Sequence, residues 1–146
     1  KTEKVLIIGY GGAALAIHYV LKTKGFKNIL IVNRTKKKLC FEKQNKYTLN
    51  IKKLDKLLLD SGLVINTTPK NLIKAKSKKL IKNKAILSDI VYKPKETDFL
   101  KQFPNNKKIY GISMLLEQAV LSFKTWFGFK PSIDPTLLEM LENKIK

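Results

Sequence analysis

Four short apolar runs recur along the chain, and they constrain the fold more than any other feature. Each run is rich in β-branched residues and almost continuously hydrophobic: KVLIIG (4–9), NILIVN (28–33), GLVINTT (62–68) and KAILSDIVY (84–92). Strands that are buried on both faces, as in a parallel sheet, have this composition. Segments with helical spacing separate the runs, and repeated strand–helix–strand units imply right-handed crossovers. The sequence therefore predicts an α/β fold, a doubly wound, mostly parallel sheet flanked by helices in three layers.

The segments between and after these runs predict the remaining elements. A first helix begins after Gly11 and ends near Gly25, with an apolar face formed by Ala13, Ala14, Ala16, Ile17, Val20 and Leu21. The leucines at 54, 57 and 58 form a second, short stripe, and the lysine-rich segment 70–84 has the amphipathic pattern of a solvated helix. Further strands are expected at YTLNI (47–51) and KKIYG (107–111).

Two C-terminal helices are predicted at 112–128 and 134–145. The first, ISMLLEQAVLSFKTWFG, carries apolar residues nearly all around its helical wheel, which is typical of a helix buried on most sides. The second begins with Asp-Pro-Thr, a common helix start. A small sheet covers only one side of the first helix, so we expect part of its surface to face another domain.

Composition limits the class of protein to which the chain can belong and the kinds of site that it can form. The 146 residues are enough for one domain, and 44% hydrophobic with 28% charged residues describes a globular chain. One cysteine, Cys40, excludes an internal disulfide framework and fits a reducing cytoplasm. One histidine, His18, cannot form a His-rich metal site, so no metal is expected. The apolar runs are too short to cross a membrane.

The net charge of +19 raises the alternative of a nucleic-acid-binding protein. The lysines are spread over the whole chain, however, and base recognition relies heavily on arginine, of which Arg34 is the only example. A lysine-rich solvated surface explains the charge without a nucleic-acid partner.

The segment KVLIIGYGGAALA predicts a site for a dinucleotide. Gly9, Gly11 and Ala14 have the G-x-G-x-x-G/A spacing, placed after a strand and at the start of a helix. The first glycine permits a tight turn, and the second lets the backbone approach a diphosphate. The anion then lies at the helix N-terminus, where free N–H groups and the helix dipole favour it.

Arg34 follows the second strand and indicates which dinucleotide is bound. Enzymes that bind an unphosphorylated adenosine ribose place Asp or Glu at this position. This chain has Asn33, Arg34 and Thr35, followed by three lysines. A guanidinium can bind a 2′-phosphate in a bidentate manner, whereas a carboxylate would repel it. The sequence therefore predicts NADP as the cofactor.

Five motifs in order, GYGGAA, VNRT, VINTTP, SDIVYKP and YGISMLLEQA, resemble the cofactor domain of the shikimate dehydrogenase family. The resemblance runs from residue 4 to about residue 131. It implies an oxidoreductase that uses NADPH to reduce 3-dehydroshikimate to shikimate in aromatic (chorismate) biosynthesis, with all of 1–146 forming the NADP-binding domain.

The resemblance also implies roles for individual residues. The diphosphate loop would be formed by Gly9, Gly11, Gly12 and Ala13. The adenosine ribose and its 2′-phosphate would be bound by Asn33, Arg34 and Thr35, with Lys38 adding charge. The nicotinamide end would be lined by Thr67, Thr68, Val91, Gly111 and Met114. The substrate's hydroxyl and carboxylate groups would be contacted by Tyr92 and Gln118.

One departure from the family pattern concerns the small residue common between the first two glycines, which is replaced by Tyr10; we expect this side chain to point outward. Family members also have a preceding substrate domain that supplies a catalytic lysine–aspartate pair. No such pair is evident in this chain, so we expect no catalytic residue in it and no turnover of shikimate by this chain alone.

Two alternative functions stay open at this point. A quinate/shikimate dehydrogenase relative can prefer NAD, although Arg34 argues against that cofactor. A non-catalytic nucleotide- or RNA-binding module is the second alternative. A homodimer formed through the apolar surface of segment 112–128 is also possible.

Overall fold

A computed structural model describes residues 3–42 and 46–145 of the chain. Within these residues, six parallel strands form one sheet in the order β3-β2-β1-β4-β5-β6. The strands are β1 (Val5–Ile8), β2 (Ile29–Asn33), β3 (Leu49–Asn50), β4 (Leu63–Asn66), β5 (Ile86–Asp89) and β6 (Lys107–Ile109). The helices are α1 (Gly12–Thr23), α2 (Leu54–Leu58), α3 (Asp98–Lys101), α4 (Gly111–Phe127) and α5 (Pro135–Lys144). This strand order is that of a dinucleotide-binding doubly wound fold, so the predicted fold class is confirmed.

The sheet has an apolar layer on each face, which explains the continuous apolar runs. Along β1, Val5 and Ile7 belong to one cluster with Ala14 of α1, while Leu6 and Ile8 belong to the cluster on the opposite face. That second cluster includes Leu58 of α2 and residues of α3, the most buried of which are Phe99 and Leu100. The central strand is therefore buried on both sides, which gives the three layers.

The face of α1 differs in part from the prediction. Ala14 and His18 are buried, and Leu15, Ile17 and Leu21 pack against the apolar cluster on this face of the sheet. Ala16 and Val20, predicted to be apolar-face residues, are exposed. The residues of α1 that face the sheet are the buried positions 14 and 18 and the partly buried positions 17 and 21, which have regular helical spacing. The sequence did not reveal this face because position 18 is a polar histidine, whereas the exposed position 20 is apolar.

Segment 70–84 does not form the solvated α-helix that its pattern predicts. It contains only a short 3-10 helix, Ala75–Leu80, flanked by the buried Ile73 and Ile81. The Asn71 side chain accepts a hydrogen bond from the Ile73 N–H at 3.0 Å, an Asx-type turn that competes with helix formation. The strand expected at 47–51 is likewise shorter, since β3 has two residues and Tyr47 forms a single antiparallel bridge with Lys38.

The C-terminal helices pack on each other through a third apolar cluster. Ile112 and Leu116 of α4 contact Ile145 and partly buried residues of α5 and the preceding loop. Lys95, after β5, joins this pair to the sheet because its N–H donates to the Ile145 carbonyl and its ammonium pairs with Glu142 at 2.6 Å. The predicted bounds of both helices are confirmed to within about two residues, the usual uncertainty of helix ends.

Candidate functional site

The carboxyl ends of β1 and β4 meet at the centre of the sheet, where the strand order reverses direction. Ligands of open α/β sheets bind in the crevice at this position. Gly9 follows β1 with a φ of 101°, and an added Cβ would lie 2.6 Å from the Thr67 hydroxyl. The Thr67 hydroxyl donates to the Ile8 carbonyl at 2.8 Å. Glycine is therefore required at position 9 both by conformation and by the close approach of the two strand ends.

The backbone at the start of α1 has open space beside it. A Cβ on Gly11 or on Gly12 would meet no atom within 4 Å. Gly11 is the residue before the first turn, and no side chain caps it. The N–H groups of the first turn, including that of Ala13, have no partner within the helix and are available to an anion.

Two clefts lie at this edge of the sheet, and together they would suit the two ends of a dinucleotide. Gly9 of the glycine turn (residues 9–12) lines the first of them. The first, of 390 Å³, lies between the ends of β2 and β4. Its lining contains four predicted site residues and five others: Gly9, Asn33, Arg34 and Thr68, with Val32, Ile51, Pro69, Lys70 and Leu72. None of these nine residues is Asp or Glu. The cleft therefore combines apolar surface with two cations, one on each wall.

The second cleft, of 440 Å³, lies beyond the shared wall formed by Thr68 and Pro69. Its lining contains four predicted site residues and three others: Thr67, Thr68, Val91 and Tyr92, with Pro69, Ile90 and Lys93. Tyr92 is 42% exposed, so its side chain is open to solvent. The predicted residues at the ends of β4 and β5 are thus brought together.

Asp89, at the end of β5, holds the walls of the second cleft in place. Its carboxylate accepts hydrogen bonds from the Asn66 amide at 3.2 Å, the Val91 N–H at 3.1 Å and the Thr97 hydroxyl at 2.6 Å. The residue is 2% exposed. Because both oxygens are already used, Asp89 has a structural role at the point where the chain leaves the sheet.

The start of α4 touches the same strand end. A Cβ on Gly111 would lie 2.6 Å from the Val91 carbonyl oxygen and closer still to that of Ile90. Met114, one turn further, is half-buried, and Gln118 is exposed. Neither of these two side chains belongs to the lining of either cleft.

The loop after β2, which we call the basic loop (residues 34–40), carries Arg34 and three lysines. The Asn33 amide and the Thr48 hydroxyl both donate to the carbonyl of Thr35, at 2.9 and 3.3 Å. Lys38 is exposed, outside the lining of the first cleft. The loop backbone is therefore held close to the end of the sheet.

Tyr10 points inward, and the prediction that it points outward was wrong. It is 7% exposed, packs in the apolar cluster on the α1 side, and accepts a hydrogen bond from the Cys40 N–H at 2.9 Å. Burial raises the pKa of the Tyr10 phenol. The sequence could not show this, because the residue that pairs with Tyr10 is 30 positions away.

Sequence reasoning also missed residues that come to the clefts from other segments. Ile51, Lys70, Leu72 and Lys93 were assigned no role in the site, and they reach the clefts only through the meeting of strand ends. Lys70 could not be recognised as a site residue from the sequence, because lysines are spread over the whole chain.

In residues 3–42 and 46–145, no helix is long and apolar enough to cross a membrane. The same residues contain no group of three or more His, Cys, Asp or Glu side chains arranged to hold a metal ion.

Comparison with protein families gives two matches that together cover most of the chain. Residues 1–107 match the family described as shikimate / quinate 5-dehydrogenase. Residues 111–137 match the family described as shikimate 5′-dehydrogenase C-terminal domain.

Individual relatives agree with these matches. The shikimate dehydrogenase (NADP(+)) of Bartonella tribocorum is 37% identical over 150 aligned residues, which cover 92% of this chain and 51% of the relative. The chain therefore spans about half the length of the curated relatives it matches.

Two solved structures share the fold at lower identity. Quinate dehydrogenase from Corynebacterium glutamicum in complex with NAD has a TM-score of 0.77 at 19% identity, covering 97% of this chain and 55% of that chain. Shikimate 5-dehydrogenase from Thermus thermophilus in complex with NADP(H) and shikimate has a TM-score of 0.71 at 23% identity, covering 99% of this chain and 56% of that chain.

Proposed function

The chain belongs to the shikimate dehydrogenase family, and we propose that it is the NADP(H)-binding part of an enzyme that interconverts shikimate and 3-dehydroshikimate. The curated relative described above is NADP(+)-dependent by name. The whole enzyme would be an oxidoreductase that acts on a CH–OH group in aromatic biosynthesis.

One observation carries the choice of NADP over NAD. The cleft between β2 and β4 has Arg34 on one wall and Lys70 on the other, with no carboxylate in its lining. A 2′-phosphate carries negative charge that a guanidinium and an ammonium attract, and a carboxylate at this position would repel it. The apolar side chains of Ile51 and Leu72 in the same cleft suit an adenine ring.

The turn after β1 fits the diphosphate of the same molecule. The space beside Gly11 and Gly12 is open, and the uncapped first turn of α1 presents N–H groups to it. An anion is favoured there by these donors and by the helix dipole. We therefore assign the diphosphate to Gly9, Gly11, Gly12 and Ala13, and the 2′-phosphate to Asn33, Arg34 and Thr35 with Lys38 in support.

The second cleft would hold the nicotinamide, which supplies the hydride when the cofactor is bound. Val91 presents an apolar side chain there beside Thr67, and Thr68 and Pro69 form the wall shared with the first cleft. Gly111 permits α4 to start against the backbone of Ile90 and Val91, so that Met114 follows within one turn. Tyr92 and Gln118, both exposed, are proposed to contact the substrate's hydroxyl and carboxylate groups.

The proton of the reaction needs a further donor, which we propose lies in a substrate domain outside this chain. Asp89 is buried and both of its carboxylate oxygens accept hydrogen bonds from the protein, so it is not placed to exchange a proton with substrate. Reduction of a ketone requires proton delivery to the developing alkoxide at contact distance. The chain alone is accordingly expected to bind NADP(H) without turning over shikimate.

The exposed apolar surface of α4 supports this division into two domains. Leu121, Trp126 and Phe127 are 61%, 75% and 60% exposed, and Phe129 beyond the helix is 58% exposed. Surfaces of this kind are usually covered by another protein surface. Since the curated relatives are about twice as long, we propose that their additional half corresponds to the domain that covers this face.

Calorimetric titration with NADP⁺ and NAD⁺ tests the proposed function. We expect tighter binding of NADP⁺, and we expect Arg34→Ala to reduce the preference at least about tenfold, because a charge-assisted bidentate contact is lost. Lys24→Ala, at the far end of α1, removes the same charge away from the cleft and should preserve the preference.

Equal binding of the two cofactors by the wild-type chain would contradict the assignment of NADP and favour a quinate-type relative that uses NAD. The nucleic-acid alternative would be favoured if neither cofactor bound and if the chain bound RNA with an affinity that falls steeply as salt is raised.

A further inference from the structure

The position of the basic loop relative to the glycine turn is set by contacts outside the cleft. Residues 34–40 contain one isolated β-bridge, Lys38 with Tyr47, and no helix or longer strand. Its lysines carry like charges, which repel one another at short distance. A loop of this kind keeps one geometry only if other residues hold it.

Thr48 holds the middle of the loop. Its hydroxyl accepts a hydrogen bond from the Lys37 N–H at 3.0 Å and donates to the Thr35 carbonyl at 3.3 Å. Its own N–H donates to the Lys37 carbonyl at 2.8 Å. Thr48 is 5% exposed, so these bonds are shielded from water.

Tyr10 holds the end of the loop and joins it to the glycine turn. The residue stands between Gly9 and Gly11, and its ring packs among the apolar side chains on the α1 side of the sheet. Its hydroxyl accepts the Cys40 N–H at 2.9 Å, and the neighbouring Leu39 is 7% exposed in the same cluster. One buried side chain thus links the backbone of the turn to the backbone of the loop.

We propose that Tyr10 is a positioning residue that fixes the basic loop relative to the glycine turn and thereby sets the preference for a 2′-phosphorylated dinucleotide. This inference rests on the proposed function. A dinucleotide with a 2′-phosphate must place its diphosphate at the glycine turn and its 2′-phosphate at Arg34 at the same time. Its affinity therefore depends on the distance between the glycine turn and Arg34. Fixing that spacing in advance lowers the entropy lost on binding. A dinucleotide without the 2′-phosphate binds through the glycine turn alone, so its affinity does not depend on that distance.

Tyr10→Phe tests the proposal, because it removes the hydroxyl and keeps the buried ring. Titration with NADP⁺ and NAD⁺ should show the ratio of the two affinities falling about threefold to tenfold, the effect expected for one lost hydrogen bond. The NAD⁺ affinity itself should change by less than about twofold. Tyr19→Phe is the matched control, since this half-exposed tyrosine of α1 packs against Phe41 away from both clefts.

Amide hydrogen exchange provides a second readout that does not depend on ligand. In Tyr10→Phe the Cys40 N–H should exchange faster, whereas the Leu39 N–H, which donates to the Lys46 carbonyl at 2.8 Å, should stay protected. Thr48→Val, like Tyr10→Phe, should lower the ratio of the NADP⁺ and NAD⁺ affinities. Thr48→Ser keeps the hydroxyl and should have the ratio of the wild-type chain.

The outcomes separate the positioning role from a purely structural one. A destabilised Tyr10→Phe variant with an unchanged affinity ratio would overturn the proposal, as would an equal loss of affinity for both dinucleotides. If the wild-type chain shows no preference for NADP⁺, the proposed function itself is contradicted, and the positioning role is overturned with it.

Discussion

His18, in the middle of α1, is fully buried, and its ring nitrogens make no hydrogen bond within the part of the chain that the structure describes. Its Nε2 lies 3.4 Å from the Glu42 carboxylate, and Glu42 also pairs with Lys22 and Lys46 at 3.1 and 3.2 Å. Burial lowers the pKa of His18 below its ordinary value of 6.5. For Glu42, burial acts to raise the pKa, but the two lysines outweigh it and lower the pKa.

Stability should therefore fall on mild acidification. The unfolded chain binds a proton at His18 near pH 6.5, whereas the folded chain resists protonation, so the free energy of unfolding decreases as the pH falls below that value. Urea unfolding at about pH 7.5, 6.5 and 5.5 measures this dependence. His18→Leu should flatten it over this range. If the free energy of unfolding depends on pH in the same way in wild type and in His18→Leu, His18 is not the cause of that dependence.

The same loss is not expected from Glu42 until lower pH. A carboxyl whose pKa is lowered in the folded chain stabilises it above the unfolded value of 4.5 and loses that contribution as the pH falls below it. The two groups thus act in separate pH ranges, and the range between about 6.5 and 5 reports on His18.

At the scale of elements, the contact between the start of α4 and the end of β5 depends on one glycine. A methyl group at position 111 would overlap the carbonyl oxygens of Ile90 and Val91. These are backbone atoms, which cannot move away by a change of rotamer. Gly111→Ala is expected to lower the free energy of unfolding by about 1–3 kcal/mol. It should also weaken NADP⁺ binding, since the displaced backbone includes Val91 in the second cleft.

Gly12→Ala provides the control for stability in the same denaturant experiment. Its methyl group meets no atom within 4 Å, and alanine has the higher helix propensity, so stability should be preserved or raised. A Gly111→Ala variant as stable as wild type would show that α4 is free to shift away from the sheet.

The elements that the sequence predicted well are those with an unambiguous apolar pattern. The central strands β1, β2, β4 and β5 lie in continuous apolar runs, which in a chain of this length are best explained by burial on both faces of the sheet. Edge strand β3 is harder to predict, because it has two residues and pairs with one neighbour only. The prediction for segment 70–84 was wrong because its lysines and apolar residues have the spacing of an amphipathic helix, whereas the Asx turn at Asn71 depends on local hydrogen bonding.

The site could be predicted where a motif lies on one segment, and not where distant segments meet. Gly9, Asn33 and Arg34 were identified because they lie at or directly after the ends of strands that meet at the same edge of a parallel sheet. Lys70 and Ile51 reach the same cleft from segments whose paths the sequence does not define. The hydrogen bond from the Cys40 N–H to the Tyr10 hydroxyl joins the glycine turn to the basic loop, and no spacing rule predicts it.

At the scale of the whole molecule, the lysine-rich surface affects how the cofactor measurements should be made. The net charge of +19 attracts any polyanion at low salt, and this attraction does not distinguish a specific site. Salt screens exposed charges over about 8 Å at physiological ionic strength. Binding of NADP⁺ and NAD⁺ should therefore be compared at physiological salt, where the difference between them reports on the cleft.

The central claim is that the carboxyl edge of this sheet binds NADP(H) through the glycine turn and the basic loop. A crystal structure of the chain with NADP⁺ tests this most directly. We expect the diphosphate at the N–H groups of Gly11, Gly12 and Ala13, and the 2′-phosphate in contact with the Arg34 guanidinium. NADP⁺ bound elsewhere, or bound here with its 2′-phosphate directed away from Arg34, would contradict the account.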